Sequence, residues 1–172
     1  TYGQEIEGVV IVDSPIRRPE ASELAPPPYI GQHKVYPSLD YAIGRFRVLP
    51  SQPCANSYVL DFIACHSLRA VKGGWQWKFN PKAMGPQSFG QSYREQLGQL
   101  SCRSALMYGE ESALVDDDTA SYMSGLMGAQ APIIAIPDAH HHVMLDQPLA
   151  FVAGLRAVLD LWRRIPSTEA VT

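Results

Sequence analysis

The chain of 172 residues is poor in cysteine, in long apolar runs and in blocks of like charge. Three cysteines (Cys54, Cys65 and Cys102) make an odd number at unrelated spacings, which excludes a disulfide framework and a Cys-x-x-Cys metal site. Cys65 and Cys102 are expected to be small buried hydrophobes. The apolar runs are too short to span a bilayer, so no membrane partner is expected. Fourteen basic residues against seventeen acidic ones leave a net charge of −3 without a basic cluster, which argues against nucleic acid or an anionic membrane as partner. There is no internal repeat and no low-complexity segment. The chain opens on Thr1-Tyr-Gly with no leader pattern and enters a strand almost at once, so a processed chain or part of a longer one is expected. The expected compartment is a reducing cytoplasm.

The chain is organised around Pro132 to Pro148, which reads as a buried strand, a polar turn with three histidines, and a loop leading to a helix. Ile133, Ile134, Ala135 and Ile136 run without alternation, as in a parallel strand covered on both faces. His140, His141 and His142 follow just past its carboxyl end. Chemistry in open α/β sheets collects there, and a histidine in that place can serve as a base near neutral pH.

Other segments follow the same grammar. Ile6 to Asp13 reads as a central parallel strand closing on an aspartate, and Ser104 to Gly109 as another ending in a glycine turn. Residues 17–37 read as a proline-stiffened connection. Ser38 caps a helix with Leu39, Ala42, Ile43 and Phe46 on one face, ended by Pro50. A second helix spans Asn56 to about Val71 and stops at Gly73-Gly74. Trp75 to Phe79 is a short strand-like piece, residues 82–90 a loop, and Gln91 to Leu100 a short helix. Asp118 to Met127 is helical, with Met123 and Met127 as packing residues. Pro148 opens a last helix whose apolar face holds Phe151, Val152, Leu155, Val158, Leu159 and Trp162. Two right-handed crossovers would set three parallel strands side by side.

These residues resemble the C-terminal half of an α/β-hydrolase. Gly8-Val-Val-Ile-Val-Asp13-Ser-Pro is similar to the family's strand after the nucleophile helix. Leu106-Met-Tyr-Gly109-Glu-Glu-Ser112 is similar to the next strand and its G-x-x-D/S turn. Ile136-Pro-Asp-Ala-His-His141 through Pro148 is similar to the segment carrying the catalytic histidine. The resemblance implies an α/β fold: a partial α/β-hydrolase parallel sheet, its last strands and helices, with a mostly helical cap insertion. Residues 1–16 and 93–166 would be the core, 17–92 the cap or lid, and 167–172 a disordered tail. G-x-S-x-G, the family's nucleophile elbow, occurs nowhere in the sequence and would lie upstream of Thr1.

By the same resemblance His141 is the catalytic base, with His140 standing where the family has glycine and His142 a packing or substrate-facing neighbour. The usual acid position holds Ser112, so Asp13 is the expected acid, with Glu111 second and Asp116 third. Trp75 and Trp77 are read either as cap core or as an aromatic wall binding substrate. Consecutive histidines cannot converge on one ion, so no metal is expected, and no cofactor. The function implied is hydrolysis of an ester-like bond in a small molecule by a Ser-His-Asp mechanism. This chain would supply His and acid, and would be inactive alone. The alternative is a truncated, non-catalytic relative acting as a binding or regulatory module. In either case an N-terminal segment or partner chain would be needed to complete the sheet.

Overall fold

The structure, a computed structural model, describes residues 5–19, 34–80 and 93–165. The tail after Ile165, the loop at 82–90, Gln91 and most of the connection at 17–37 fall outside the described residues. The chain divides into two compact units, one of Thr1–Ala21 with Ser92–Thr172 and one of Ser22–Gln91.

The larger unit is built on three parallel strands, β1 (Gly8–Val12), β4 (Arg103–Gly109) and β5 (Ile133–Ile136), in the order β1-β4-β5. The second and third strands are counted after β2 and β3 of the smaller unit, given below. β4 is the central strand, and six of its seven residues are buried. Where a central strand is expected, β1 pairs with β4 alone among the described residues. Among the same residues β5 also pairs with β4 alone, and Ala135 is exposed rather than covered. Apolar runs alone do not distinguish the middle of a parallel sheet from its margin.

Successive side chains of β4 point to opposite faces. Leu106 and Tyr108 enter one cluster with Leu97, Val115, Ala120 and Met123. These last residues come from α3 (Arg94–Gly98), α4 (Asp117–Met127) and the turn between β4 and α4. Met107 enters a second cluster on the other face, with Ile136, Ala139 and Val143, packed by Phe151 and Leu155 of α6 (Pro148–Arg164). Gly154 lets α6 come close: a Cβ there would lie 2.9 Å from Met107 Cε. Phe151, Leu155, Val158 and Trp162 form the inward stripe of α6, whereas Val152 and Leu159 are exposed and stand off the face assigned to them. The Arg103 guanidinium donates to the carbonyls of Trp162 and Ile165 and so satisfies acceptors at the end of α6. Arg17 and Arg18 also belong to this unit. Arg17 donates to Leu114 O, and Arg18 pairs with Asp118 and lies over the Tyr122 ring.

Tyr108 is buried and donates its hydroxyl to Asp117 Oδ1 at 2.9 Å. Burial first, then Asp117 as acceptor and as charge, then the charge of Glu110, push the phenol from 10.0 up to about 12. The folded state thus holds this proton more tightly than the unfolded chain. The resulting stabilisation is complete below pH 10.0 and is lost as pH rises through about 12. Urea titrations across that window should show stability falling, and Tyr108→Phe should flatten the fall. An unchanged slope in the variant would contradict the assignment.

The smaller unit contains α1 (Leu39–Ile43), α2 (Ser57–His66) and an antiparallel hairpin of β2 (Leu68–Val71) and β3 (Gly74–Trp77). Ser38 caps α1 by accepting from Tyr41 N, but the helix ends at Gly44, well before Pro50. Arg47 donates to Gly44 O at 3.0 Å, and Phe46 packs on Trp77 instead of extending the helix. The expected helix to Val71 is also corrected. α2 stops at His66, where Lys78 Nζ takes the His66 carbonyl, and Leu68 to Val71 pair with the following strand. Gly73 and Gly74 have φ of +91° and +146°, so they form the hairpin turn rather than a helix stop. Val59, Leu60, Ile63 and Ala64 face inward as expected, but Cys65 lies on the outer side of α2 and is exposed. Among the described residues no helix is long and apolar enough to cross a membrane.

Candidate active site

The carboxyl ends of all three parallel strands contribute to one hydrogen-bonded cluster. Asp13 follows β1 directly and is wholly buried. Its backbone has φ +44°, a region that costs most residues free energy but that aspartate tolerates better than most. The N–H of Asp13 donates to Met107 O at 2.8 Å, extending the sheet pairing by one residue. This geometry aims the carboxylate along the ends of β4 and β5.

Three donors meet that carboxylate. Gly109 N donates to Oδ2 at 2.7 Å, and the Ser112 hydroxyl donates to Oδ1 at 2.6 Å. His141, with its proton on Nδ1, donates to Oδ1 at 3.0 Å. Ser112 Oγ in turn accepts from Leu114 N at 3.0 Å and Val115 N at 3.2 Å, so its own proton is directed to Asp13. A buried carboxylate needs such donors to remain charged away from water.

The loop bearing His141 is fastened to the end of β4. Glu110 N donates to Ile136 O at 3.0 Å and Glu111 N to Ala139 O at 2.9 Å. Gly109 allows this approach: a Cβ there would lie 2.3 Å from the carbonyl oxygens of Ala139 and His140. Beyond the loop comes α5 (Val143–Asp146), a single turn where a plain loop was expected. Asp146 on α5 accepts from His140 N at 2.8 Å, closing the loop from its other side.

The remaining candidates have other partners. Glu111 pairs with His140, Oε2 to Nε2 at 3.2 Å, so the carboxylate on the His141 ring is that of Asp13. Asp116 caps α4 by accepting from Thr119 N at 2.8 Å. The hydroxyl and backbone N–H of Thr119 hold its carboxyl below the ordinary aspartate range. His142 packs edge-on against His141, with ring centroids 4.6 Å apart. Trp75 and Trp77 belong to the smaller unit. There Trp77 packs against Phe46 and donates Nε1–H to Tyr36 OH at 3.4 Å, while the Trp75 backbone bridges to Tyr36. Ser112 figured in the sequence only as a departure from an acid, and its part as a donor to Asp13 went unread. A hydroxyl beside a strand-end carboxylate was the available signal. Among the described residues no group of three or more histidines, cysteines and carboxylates is arranged to hold a metal ion.

No family model matches the chain, and no curated protein matches it. Solved structures do. The thioesterase domain from the curacin biosynthetic pathway superposes with a TM-score of 0.63 at 18% identity, covering 90% of this chain and 58% of that one. A peroxisomal alpha-beta-hydrolase from Saccharomyces cerevisiae gives 0.64 at 13% identity, covering 96% and 49%. A thermophilic esterase from Thermogutta terrifontis gives 0.56 at 18% identity, covering 94% and 58%. The chain therefore spans about half the length of the solved structures it matches. With a parallel sheet, helices packed on both of its faces and these likenesses, the chain has an α/β-hydrolase fold.

Proposed function

We propose that this chain carries the base and the orienting acid of a serine hydrolase that cleaves an ester-like bond in a small molecule. The observation that supports the reading is the 3.0 Å contact between His141 Nδ1 and the buried Asp13 carboxylate, at the carboxyl ends of parallel strands. In this reading Asp13 accepts the Nδ1 proton, so the Nε2 lone pair is turned to the nucleophile. A serine oxygen attacks the substrate carbonyl and gives its proton to Nε2. His141 then returns that proton to the leaving alkoxide or thiolate as the tetrahedral intermediate collapses to an acyl-enzyme. Water, deprotonated by the same nitrogen, attacks the acyl-enzyme, and His141 returns that proton to the serine oxygen as the second tetrahedral intermediate collapses to the acid and the free serine. Asp13 stays ionised and stabilises each imidazolium that forms.

In this reading the serine lies outside these 172 residues, which the absence of any G-x-S-x-G among them supports. In this reading the strand leading to that serine would add to the side of β1 that pairs with no strand among the described residues, with the oxyanion-hole donors further along the chain's other strands.

A fluorophosphonate tests the reading, because it phosphonylates activated serines. The protein as its source makes it should take up one phosphonyl group, on a serine that peptide mapping places outside the present sequence. Absence of a labelled serine would favour the other reading, a non-catalytic relative that uses this fold for binding.

A further inference from the structure

His140 holds a position unlike that of either neighbouring histidine. Its ring lies between two carboxylates on two different elements. Nε2 is 3.2 Å from Glu111 Oε2, on the turn after β4, and Nδ1 is 3.4 Å from Asp146 Oδ2, on α5. The Asp146 side chain is 5% exposed, that of His140 28% and that of Glu111 54%. The same Asp146 oxygen also accepts from His140 N at 2.8 Å.

These contacts form a brace across the proposed dyad. Glu111 and Ser112 are consecutive in the turn after β4. Ser112 fixes the Asp13 carboxylate, and Glu111 grips the His140 ring. His140 and His141 are consecutive in the loop after β5, and His141 meets the other side of Asp13. The His140 ring therefore ties the turn that holds the acid to the loop that holds the base, and through Asp146 to the helix beyond.

Only the imidazolium form supplies an N–H to both carboxylates, whereas neutral imidazole has one N–H and turns a lone pair toward the second carboxylate. The titratable groups on the elements packed around the ring are Glu110 and Glu111 on the turn, Asp138, His141 and His142 on its own loop, and Asp146 on α5. Of these, Glu111 and Asp146 lie within ion-pair distance of the His140 ring among the described residues. Both are acidic.

We propose that His140 is a positioning residue which, held between Glu111 and Asp146, fixes His141 against Asp13. The proposal rests on the base-and-acid reading above and adds to it a residue that acts through His141 by bracing the loop that carries it.

The test follows the His141 Nδ1–H proton by NMR in the 15N-histidine-labelled full-length protein, with His140→Ala and Glu111→Gln as variants. In the unsubstituted protein that proton should be sheltered from exchange by its bond to Asp13. In His140→Ala the exchange should be faster by roughly tenfold. Glu111→Gln removes one of the two carboxylates from the His140 ring at a half-exposed position, and should give a smaller acceleration. A His141 proton whose exchange is the same in both variants as in the parent would overturn the positioning role and leave the base-and-acid reading standing. An unprotected His141 proton in the unsubstituted protein would overturn both.

Discussion

Replacing Asp13 with Asn in the full-length protein should lower kcat on an ester substrate by about four orders of magnitude. The size of the effect follows from the three donors around the carboxylate. An asparagine side chain offers one acceptor and one donor group in place of two acceptors. If its oxygen takes the Gly109 N–H, its NH2 faces His141. The imidazole must then accept at Nδ1, which places its proton on Nε2 and leaves no base toward the nucleophile. If the side chain flips, its NH2 meets the Gly109 N–H, donor against donor in a site closed to water, at a cost of about 1–3 kcal/mol. Either arrangement spoils the geometry, while the side-chain volume scarcely changes. Circular dichroism should show an intact fold, so the loss would reside in the chemistry. A fall in kcat of less than about tenfold would mean that Asp13 is a loop-capping residue and does not orient the base.

His141→Gln should cost more, on the order of a millionfold in kcat, as expected when the proton acceptor of a nucleophile–base pair is removed. Glutamine can keep a hydrogen bond toward Asp13 but takes up no proton at neutral pH. The serine then attacks as a neutral hydroxyl, and the leaving group departs without a general acid. Substrate binding does not draw on the proton transfer, so KM should change little beside kcat. The rate of fluorophosphonate labelling should fall with kcat. A variant that keeps its labelling rate would show that the serine is activated by some other group.

The parts of this molecule that were legible in its sequence are those whose signal is local. β4 and β5 announced themselves as unbroken apolar runs, and α4 by the carboxylates at its start, of which Asp116 accepts the Thr119 N–H. Asp13 and His141 could be picked out because each closes or follows an apolar strand, where a polar side chain has a reason to be. What escaped notice depends on pairing across the chain. Leu68 to Val71 continues a helical pattern on its own, and becomes a strand because Trp75 and Gln76 pair with it and Arg69 donates to Gln76 Oε1. Which strands stand beside β1 is information that its own residues lack. The His140 brace draws on three segments, and no spacing along the chain links Glu111 to His140.

The most direct measurement is kcat on 4-nitrophenyl acetate for the full-length protein, for Asp13→Asn, for His141→Gln and for the double variant. If His141 is the base and Asp13 acts through it, the double variant should be no slower than His141→Gln alone, because nothing remains for Asp13 to orient. If instead the two losses multiply, Asp13 and His141 contribute independently, and the base-and-acid unit proposed for this chain does not exist.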